Sequence, residues 1–108
     1  MQDFLLVESR DGFDRRGGGF CGELACSLAA AGHSVTVLLV QNGVLAARSS
    51  ARDPGLAALV AARVAVLADA FSLAERGIAE HRLADGVRSV GLEIVVDRMV
   101  EGAKVLWH

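Results

Sequence analysis

Five short, largely apolar runs recur along the chain, at residues 4–7, 34–40, 63–68, 87–90 and 103–107. The first run is continuous rather than alternating, as in a strand that is buried on both faces of a sheet, and the fourth run, VRSV, is the weakest. The second run, SVTVLLV, is also rich in β-branched residues, which favour strands. The pattern therefore predicts five buried strands.

Segments with helical features separate these runs. Residues 18–31 form the first, and Gly32 follows it, as a glycine often follows the end of a helix. Asp53 and Pro54 open the second, because aspartate is a favoured N-cap and proline is accepted at the first helical position. Residues 92–101 form the last, and its apolar spacing predicts one face packed on the sheet: Leu92, Val95, Val96, Met99 and Val100.

Buried strands joined by helices predict an α/β fold. We expect a three-layer α/β/α sandwich with a five-stranded, mainly parallel sheet. The 108 residues suit a single domain that spans residues 1–108.

Composition adds an expectation of self-association. Hydrophobic residues make up 53% of the chain and charged residues 22%. A domain of this size cannot bury so much apolar surface by itself, so we expect part of it to lie in the interface of a homo-oligomer or hetero-oligomer. The net charge of −2 argues against a nucleic-acid partner. No apolar run approaches the roughly 20 residues of a membrane span, and the N-terminus lacks a basic targeting region, so we predict a cytoplasmic protein.

Polar residues follow the predicted strands and locate a candidate site. In a parallel sheet flanked by helices, ligands bind outside the carboxyl ends of the strands. The residues near those ends define what we call the strand-end rim: Glu8, Ser9, Arg10, Gln41, Asn42, Asp69, Ser72 and His108. We predict that these side chains converge on one edge of the sheet and contact a ligand or a partner protein.

A glycine-rich segment, Gly17 to Gly22, fits the pattern G-x-G-x-x-G of dinucleotide-binding loops. That fingerprint lies in a tight turn directly after a strand, whereas this segment begins well beyond Glu8, and no acidic residue follows the second strand to bind a ribose. We interpret the segment as a flexible loop that leads into a helix. An anion bound near Arg15 and Arg16 is the other interpretation.

The two cysteines, Cys21 and Cys26, lie five positions apart on one predicted helix and so cannot form a disulfide or chelate a metal together. The plainer interpretation is that both are small apolar side chains in the helix packing. Cys21 is the one candidate for thiol chemistry, because a position in the first turn of a helix can lower a thiol pKa. His33 and His81 have no metal-ligand spacing with the cysteines, and we predict neither a metal nor a cofactor.

Several stretches resemble the DsrE/DsrF-like family of sulfur-relay proteins. They are residues 7–11, 31–44, 66–78 and 104–108, and the most specific part is Leu73-Ala74-Glu75-Arg76-Gly77-Ile78. The resemblance implies a five-stranded parallel sheet and assembly into trimers or hexamers. It also implies that active members hold a persulfide on a cysteine in the loop after the third strand.

At that position this chain has Asp69-Ala70-Phe71-Ser72 and no cysteine. A serine hydroxyl cannot carry persulfide sulfur. We interpret Ser72 and Glu75 as a capping box, S-x-x-E, at the start of a helix.

Three functional hypotheses follow. The first is a non-catalytic subunit or interaction module of a sulfur-trafficking system, with other relay subunits or a sulfur-carrier protein as partners. The second is a sulfurtransferase that uses Cys21 or Cys26. The third is a module that binds a small ligand or a nucleotide at the strand-end rim and the glycine-rich segment.

Overall fold

The structure is a computed structural model that describes residues 1–11 and 20–108, with only the backbone for Phe20 and Cys21. Within these residues the strands are β1 (Asp3–Glu8), β2 (Ser34–Leu39), β3 (Ala65–Asp69), β4 (Val87–Val90) and β5 (Lys104–Trp107). The helices are α1 (Phe20–Ala30), α2 (Pro54–Ala61), α3 (Ala70–Glu75) and α4 (Glu93–Val100). Short 3-10 segments cover Gln41–Ala47, Ser49–Ala51 and Glu80–Arg82. The five predicted strands are confirmed, with small shifts at their ends.

The strands are all parallel and lie in the order β4-β3-β2-β1-β5. From β1 to β4 the chain moves toward one edge of the sheet, and it then crosses back to place β5 on the other side of β1. Crossovers between parallel strands are right-handed, so a reversal of direction places the connecting helix on the opposite face. As a result α1 and α2 cover one face and α4 covers the other, which confirms the predicted α/β/α sandwich.

Side chains of the strands enter two apolar clusters, one on each face of the sheet. The cluster under α1 and α2 is the larger, and its strand members include Leu6, Val37 and Val66. The cluster under α4 has five buried residues, four on strands and Val40 directly after β2: Leu5, Val7, Leu38, Val40 and Leu67. Burial on both faces explains why β1, β2 and β3 are largely apolar in the sequence.

The start of α2 is as predicted. Asp53 is the N-cap, and its Oδ1 accepts hydrogen bonds from the backbone N–H of Gly55 at 2.8 Å and of Leu56 at 3.2 Å. Pro54 occupies the first helical position, where its missing N–H costs nothing. Asp53 and Pro54 therefore set the residue at which α2 begins.

The face of α4 that packs on the sheet is not the predicted one. Two of its residues contact the cluster beneath the helix, Ile94 and Val95. The other residues predicted to face the sheet are instead exposed by 48% to 81%: Leu92, Val96, Met99 and Val100. The prediction was therefore wrong for all of its residues except Val95, and a row of apolar side chains points away from the sheet.

Arg98 explains why the apolar spacing of α4 predicted the wrong face of the helix. Its guanidinium Nη1 lies 3.2 Å from Thr36 Oγ1 and 3.6 Å from Asp3 Oδ1, both on strands beneath the helix. In a sequence, a helix face that contains an arginine resembles the solvent side. Here the sheet supplies a hydroxyl and a carboxylate to that arginine, so the face can pack inward without leaving a charge unpaired.

Candidate functional site

Glu8 and His108 form the first part of the strand-end rim. They follow Val7 and Trp107, which are paired in register on the neighbouring strands β1 and β5. His108 Nδ1 lies 2.7 Å from Glu8 Oε2, and the Glu8 side chain is 2% exposed, whereas that of His108 is 34% exposed. A hydrogen on Nδ1 is directed at the Glu8 carboxyl group, so this contact sets the orientation of the ring. The pair holds an imidazole in one orientation at the end of the sheet.

Ser9 fixes the backbone of His108. The Ser9 backbone N–H and its Oγ both donate to the His108 carbonyl oxygen at 3.0 Å. The His108 N–H donates to the Val7 carbonyl oxygen at 2.8 Å. These bonds extend the contact between β1 and β5 past the last paired residues, so both the backbone and the ring of His108 are positioned.

Asp69 and Ser72 form the second part of the rim, at the end of β3. Asp69 Oδ2 accepts hydrogen bonds from Ser72 N at 3.0 Å and from Ser72 Oγ at 2.6 Å. Ser72 Oγ in turn accepts the backbone N–H of Gln41 at 2.8 Å. Asp69 and Ser72 are each 3% exposed. The Ser72 hydroxyl therefore uses its hydrogen for the carboxylate and a lone pair for the backbone of the segment after β2.

The predicted capping box of Ser72 and Glu75 is wrong. The helix α3 begins at Ala70, directly after β3, so Asp69 is the N-cap and Ser72 is the third helical residue. An N-cap needs non-helical backbone, and Asp69 has it (φ −68, ψ 121) because it is also the last residue of a strand. The motif at this position is therefore Asp-x-x-Ser, and residues 69–72 form a strand end and a first helical turn rather than a loop.

The two parts of the rim meet through residues 40–43. The Val40 N–H donates to the Glu8 carbonyl oxygen at 3.0 Å, and the Gly43 N–H donates to the Val40 carbonyl oxygen at 2.8 Å. Gly43 lies so close to β1 that a Cβ there would collide with the Glu8 carbonyl oxygen. Gln41, whose N–H reaches Ser72, has φ +50, a left-handed conformation that few non-glycine residues adopt. A tightly folded backbone thus connects Glu8 to the end of β3.

Arg76 and Phe71 also lie at the rim, although the strand-end argument missed them. Arg76 Nε and Nη2 donate to Asn42 Oδ1 at 3.2 and 3.0 Å, and Nη1 donates to the Ser72 carbonyl oxygen at 3.2 Å. Arg76 thereby ties Asn42 to α3. Phe71, next to the buried Ser72, is 68% exposed. The Leu-x-x-Arg-Gly-Ile segment carried a signal for Arg76, whereas no pattern in the sequence distinguishes an exposed phenylalanine from a buried one.

The fold is similar to that of the YchN protein from E. coli. The two chains are 23% identical, and the match has a TM-score of 0.85 and covers 100% of both. MTH1491 from Methanobacterium thermoautotrophicum, a protein of unknown function, matches with 19% identity and a TM-score of 0.86 over 100% of both chains. BT1422 from Bacteroides thetaiotaomicron, a conserved protein of unknown function, matches with 15% identity and a TM-score of 0.79 over 99% of this chain and 95% of the other. No family model matches the chain, and no curated protein matches it in sequence.

Most of the predicted rim residues are brought together. Contacts run without a break from His108 through Glu8 and the 40–43 segment to Ser72 and Asp69. Arg10 is exposed, and it takes no part in the hydrogen bonds of the rim that the structure describes. These contacts connect the ends of β1, β3 and β5 through the backbone of residues 40–43, and the use of this edge by a ligand or a partner protein stays a prediction.

The other sequence candidates are placed as follows. Residues 12–19, which include Arg15, Arg16 and the first half of the glycine-rich segment, lie outside the described residues, as does the side chain of Cys21. Cys26 packs against the cluster under α1 and α2, with its Sγ 4.0 Å from the Ala58 carbonyl oxygen. In the described ranges, no three His, Cys, Asp or Glu side chains are grouped to hold a metal ion, and no helix is long and apolar enough to cross a membrane.

The Ser72 hydroxyl is not placed for nucleophilic attack, because it is buried and engaged on both sides. The exposed side chains of the rim include Arg10, Gln41 and Asn42, and the neighbouring Phe71 is exposed as well. The imidazole of His108 is 34% exposed.

Proposed function

We propose that this chain is a DsrE/DsrF-like subunit that acts in intracellular sulfur trafficking through contacts with other proteins and does not itself carry sulfur. The observation that carries the proposal is the state of Ser72. The resemblance implies a persulfide cysteine within residues 69–72, and this chain has there a hydroxyl that is 3% exposed. That hydroxyl donates to Asp69 and accepts from Gln41. It can neither hold sulfane sulfur nor reach a donor.

The same position supports a role in binding. Phe71 is exposed by 68% directly beside the engaged Ser72, and Arg10 is exposed at the end of β1. Aromatic and arginine side chains are enriched where proteins bind each other. The proposed partners are subunits of the same family that do carry the cysteine, or a sulfur-carrier protein, with the strand-end rim as the contact surface.

A persulfide-loading experiment tests the proposal. Wild type, Cys21→Ser and Cys26→Ser are incubated with glutathione persulfide, and intact mass is measured after removal of the donor. We expect no stable gain of a sulfur atom in any of the three. A gain in wild type that disappears only in Cys21→Ser would contradict the proposal and support a sulfurtransferase with a relocated thiol. Cys26 is the weaker candidate, because it packs against the core between α1 and α2.

A binding experiment tests the proposed contact with partner proteins. The chain is mixed with a cysteine-bearing DsrE/DsrF-like subunit from the same organism, and complex formation is followed by sedimentation velocity. We expect a complex that Phe71→Ser weakens, whereas Val60→Ser, an exposed apolar position on α2 and on the opposite face of the sheet from α4, serves as the matched control. Absence of any complex, or equal weakening by both variants, would count against the rim as the contact surface.

We further propose that the chain self-associates through the apolar side chains on the α4 side of the sheet. Val96, Met99 and Val100 are exposed by 61%, 59% and 81%, and Trp107 on β5 is exposed by 64%. A monomer rarely exposes so many large apolar side chains on one side. The hydrophobic content of 53% supports the same inference.

Light scattering tests this part. At micromolar concentration the mass should exceed that of one 11.3 kDa chain, and Val96→Glu should lower it toward that value. Ala30→Glu, an exposed position at the end of α1, is the control and should leave the mass unchanged. A monomer at every concentration, or a mass that Ala30→Glu alone changes, would refute the proposed surface.

A further inference from the structure

A cleft of about 500 Å³ runs beside α2, and none of the strand-end rim residues lines it. One wall is α2 itself, and the other includes Ala84 and Asp85, just before β4. The second wall is held in place, because the Ala84 N–H donates to the Ala47 carbonyl oxygen at 2.8 Å and Arg48 forms an antiparallel bridge with Leu83. The volume lies within the range of about 300–1,000 Å³ that is typical of sites for small molecules.

The wall formed by α2 is apolar on both sides of the helix. Its sequence, PGLAALVA, contains no polar side chain. Leu56 and Leu59 account for its contact with the core, with exposures of 7% and 6%. Ala57, Val60 and Ala61 are exposed and line the cleft. The outward side of a surface helix is ordinarily polar, so an apolar lining here needs an explanation.

Charged groups surround this apolar wall. Arg52 and Asp53 directly precede α2, whereas Arg48 is bridged to Leu83 on the opposite wall, next to Ala84 and Asp85. The Asp53 carboxylate accepts two backbone N–H groups of α2. The cleft therefore combines an apolar wall with one arginine on each side of it.

Both arginines line the cleft, and the backbone holds one of them in place. Arg48 Nε donates to the Leu45 carbonyl oxygen at 2.8 Å, which fixes its guanidinium. Arg52 has φ +46 and ψ 46, a left-handed conformation that is uncommon for a residue with a side chain. The ion pairs found among the described residues involve Arg76, Arg98 and His108, so in that part of the chain neither Arg48 nor Arg52 pairs with a carboxylate.

We propose that this cleft binds a small amphiphilic carboxylate, with an acyl chain along Ala57, Val60 and Ala61 and the carboxylate between Arg48 and Arg52. The eight residues of α2 span about 12 Å at about 1.5 Å per residue, enough to cover a medium-length acyl chain. Arginine supplies paired donors that match a carboxylate. Because the cleft shares no residue with the strand-end rim, this proposal and the sulfur-trafficking proposal can fail independently.

Titration of isotope-labelled protein with octanoate, followed by amide NMR shifts, tests the site. We expect saturable shifts centred on residues 48–61 and 84–86, and no saturable shifts with octanol, the neutral analogue. The double variant Arg48→Gln/Arg52→Gln should weaken octanoate binding by about tenfold or more, the loss of roughly one charge-assisted hydrogen bond. Arg88→Gln, an exposed arginine on β4 outside the cleft, is the control and should bind as wild type does.

Four results would overturn the proposal. Octanol that binds as tightly as octanoate would show that the arginines do not select a charge. Shifts confined to the strand-end rim, or none at all, would place no ligand in the cleft. The third result has two parts: the wild-type protein does not bind octanoate, and the Val60→Asp variant dissociates an oligomer that wild type forms. Together they would mean that a second copy of the chain covers the cleft. Octyl phosphate tests the head group. If it binds more tightly than octanoate, the site selects a phosphate over a carboxylate, which contradicts the proposed ligand class.

Discussion

Replacing Ser72 with alanine removes one buried hydroxyl and two hydrogen bonds. The bond to Asp69 Oδ2 is 2.6 Å long and goes to a carboxylate, and the bond from Gln41 N is 2.8 Å long and involves neutral groups. Hydrogen bonds of the first kind contribute about 1.5–3 kcal/mol and those of the second kind about 0.5–1.5 kcal/mol. Gln41 is itself exposed, so water can replace part of the second bond. We therefore expect Ser72→Ala to lower the free energy of unfolding by about 2–3 kcal/mol, against about 1 kcal/mol for a lost N-cap alone.

Ser72→Asp separates the two interpretations further. A capping serine accepts replacement by aspartate, because both side chains cap a helix well. In the observed arrangement the new carboxylate would lie beside that of Asp69, at two positions that are each 3% exposed. Two like charges in a buried site repel each other strongly, so we expect Ser72→Asp to be more destabilising than Ser72→Ala at neutral pH.

Urea unfolding followed by circular dichroism measures both variants. The transition is recorded at several protein concentrations, and the slope against urea is compared with that of wild type to confirm that only stability has changed. Ser27→Ala, at an exposed position of α1, is the control and should stay within about 0.5 kcal/mol of wild type. A loss of about 1 kcal/mol or less for Ser72→Ala, together with a neutral Ser72→Asp, would refute the buried network.

Three further predictions concern the elements that position the site. Gly43→Ala should destabilise the protein by about 1–3 kcal/mol, because the new Cβ would meet the Glu8 backbone. Gly22→Ala, in α1 with open space around it, should instead stabilise the protein by about 0.5–1 kcal/mol. Equal effects of the two variants in thermal unfolding would contradict this account. Asp53→Ala should lower the free energy of unfolding by about 1 kcal/mol through the lost N-cap of α2, and Asp53→Asn should retain most of the stability. If Asp53→Ala has no effect in urea unfolding, Asp53 does not stabilise the helix as a cap. In dilute protein, Val95→Ala should lower the free energy of unfolding by about 1 kcal/mol, and Val96→Ala should leave it almost unchanged. The reverse order would mean that Val96, and not Val95, packs on the sheet.

The strands and the rim could be predicted because burial and topology leave direct traces in the sequence. Residues 34–40 are apolar except for Ser34 and Thr36, and in the structure residues 35–40 are all buried between two layers of helix. Parallel strands place their carboxyl ends on one edge, so the position of Glu8 and Asp69 at the ends of their strands was enough to group them. The contacts between those ends depend on the fold of residues 40–43, which no periodicity encodes.

Two errors had the same physical origin, because in each a local motif was interpreted without its partner on another element. The S-x-x-E motif at Ser72 is a valid capping pattern, but Asp69 already ends a strand there and caps the helix three residues earlier. In α4, the apolar residues surround most of the helix, so spacing alone could not select the inner face. Thr36 and Asp3 on the sheet determine that Arg98 packs inward.

The position of β1 between β2 and β5 also has a consequence for biosynthesis. The contacts of β1 with β2 join residues about thirty positions apart, whereas His108 meets Glu8 across a separation of 100 residues. During synthesis β1 to β4 are complete before α4 and β5 have been made, so a nascent chain has one unpaired edge of β1 and an uncovered face that contains Leu5 and Val7. Open strand edges and exposed apolar faces promote aggregation, and long sequence separations slow folding. We expect the ribosome-bound chain to depend on chaperones until residues 93–107 emerge and close that edge and that face together.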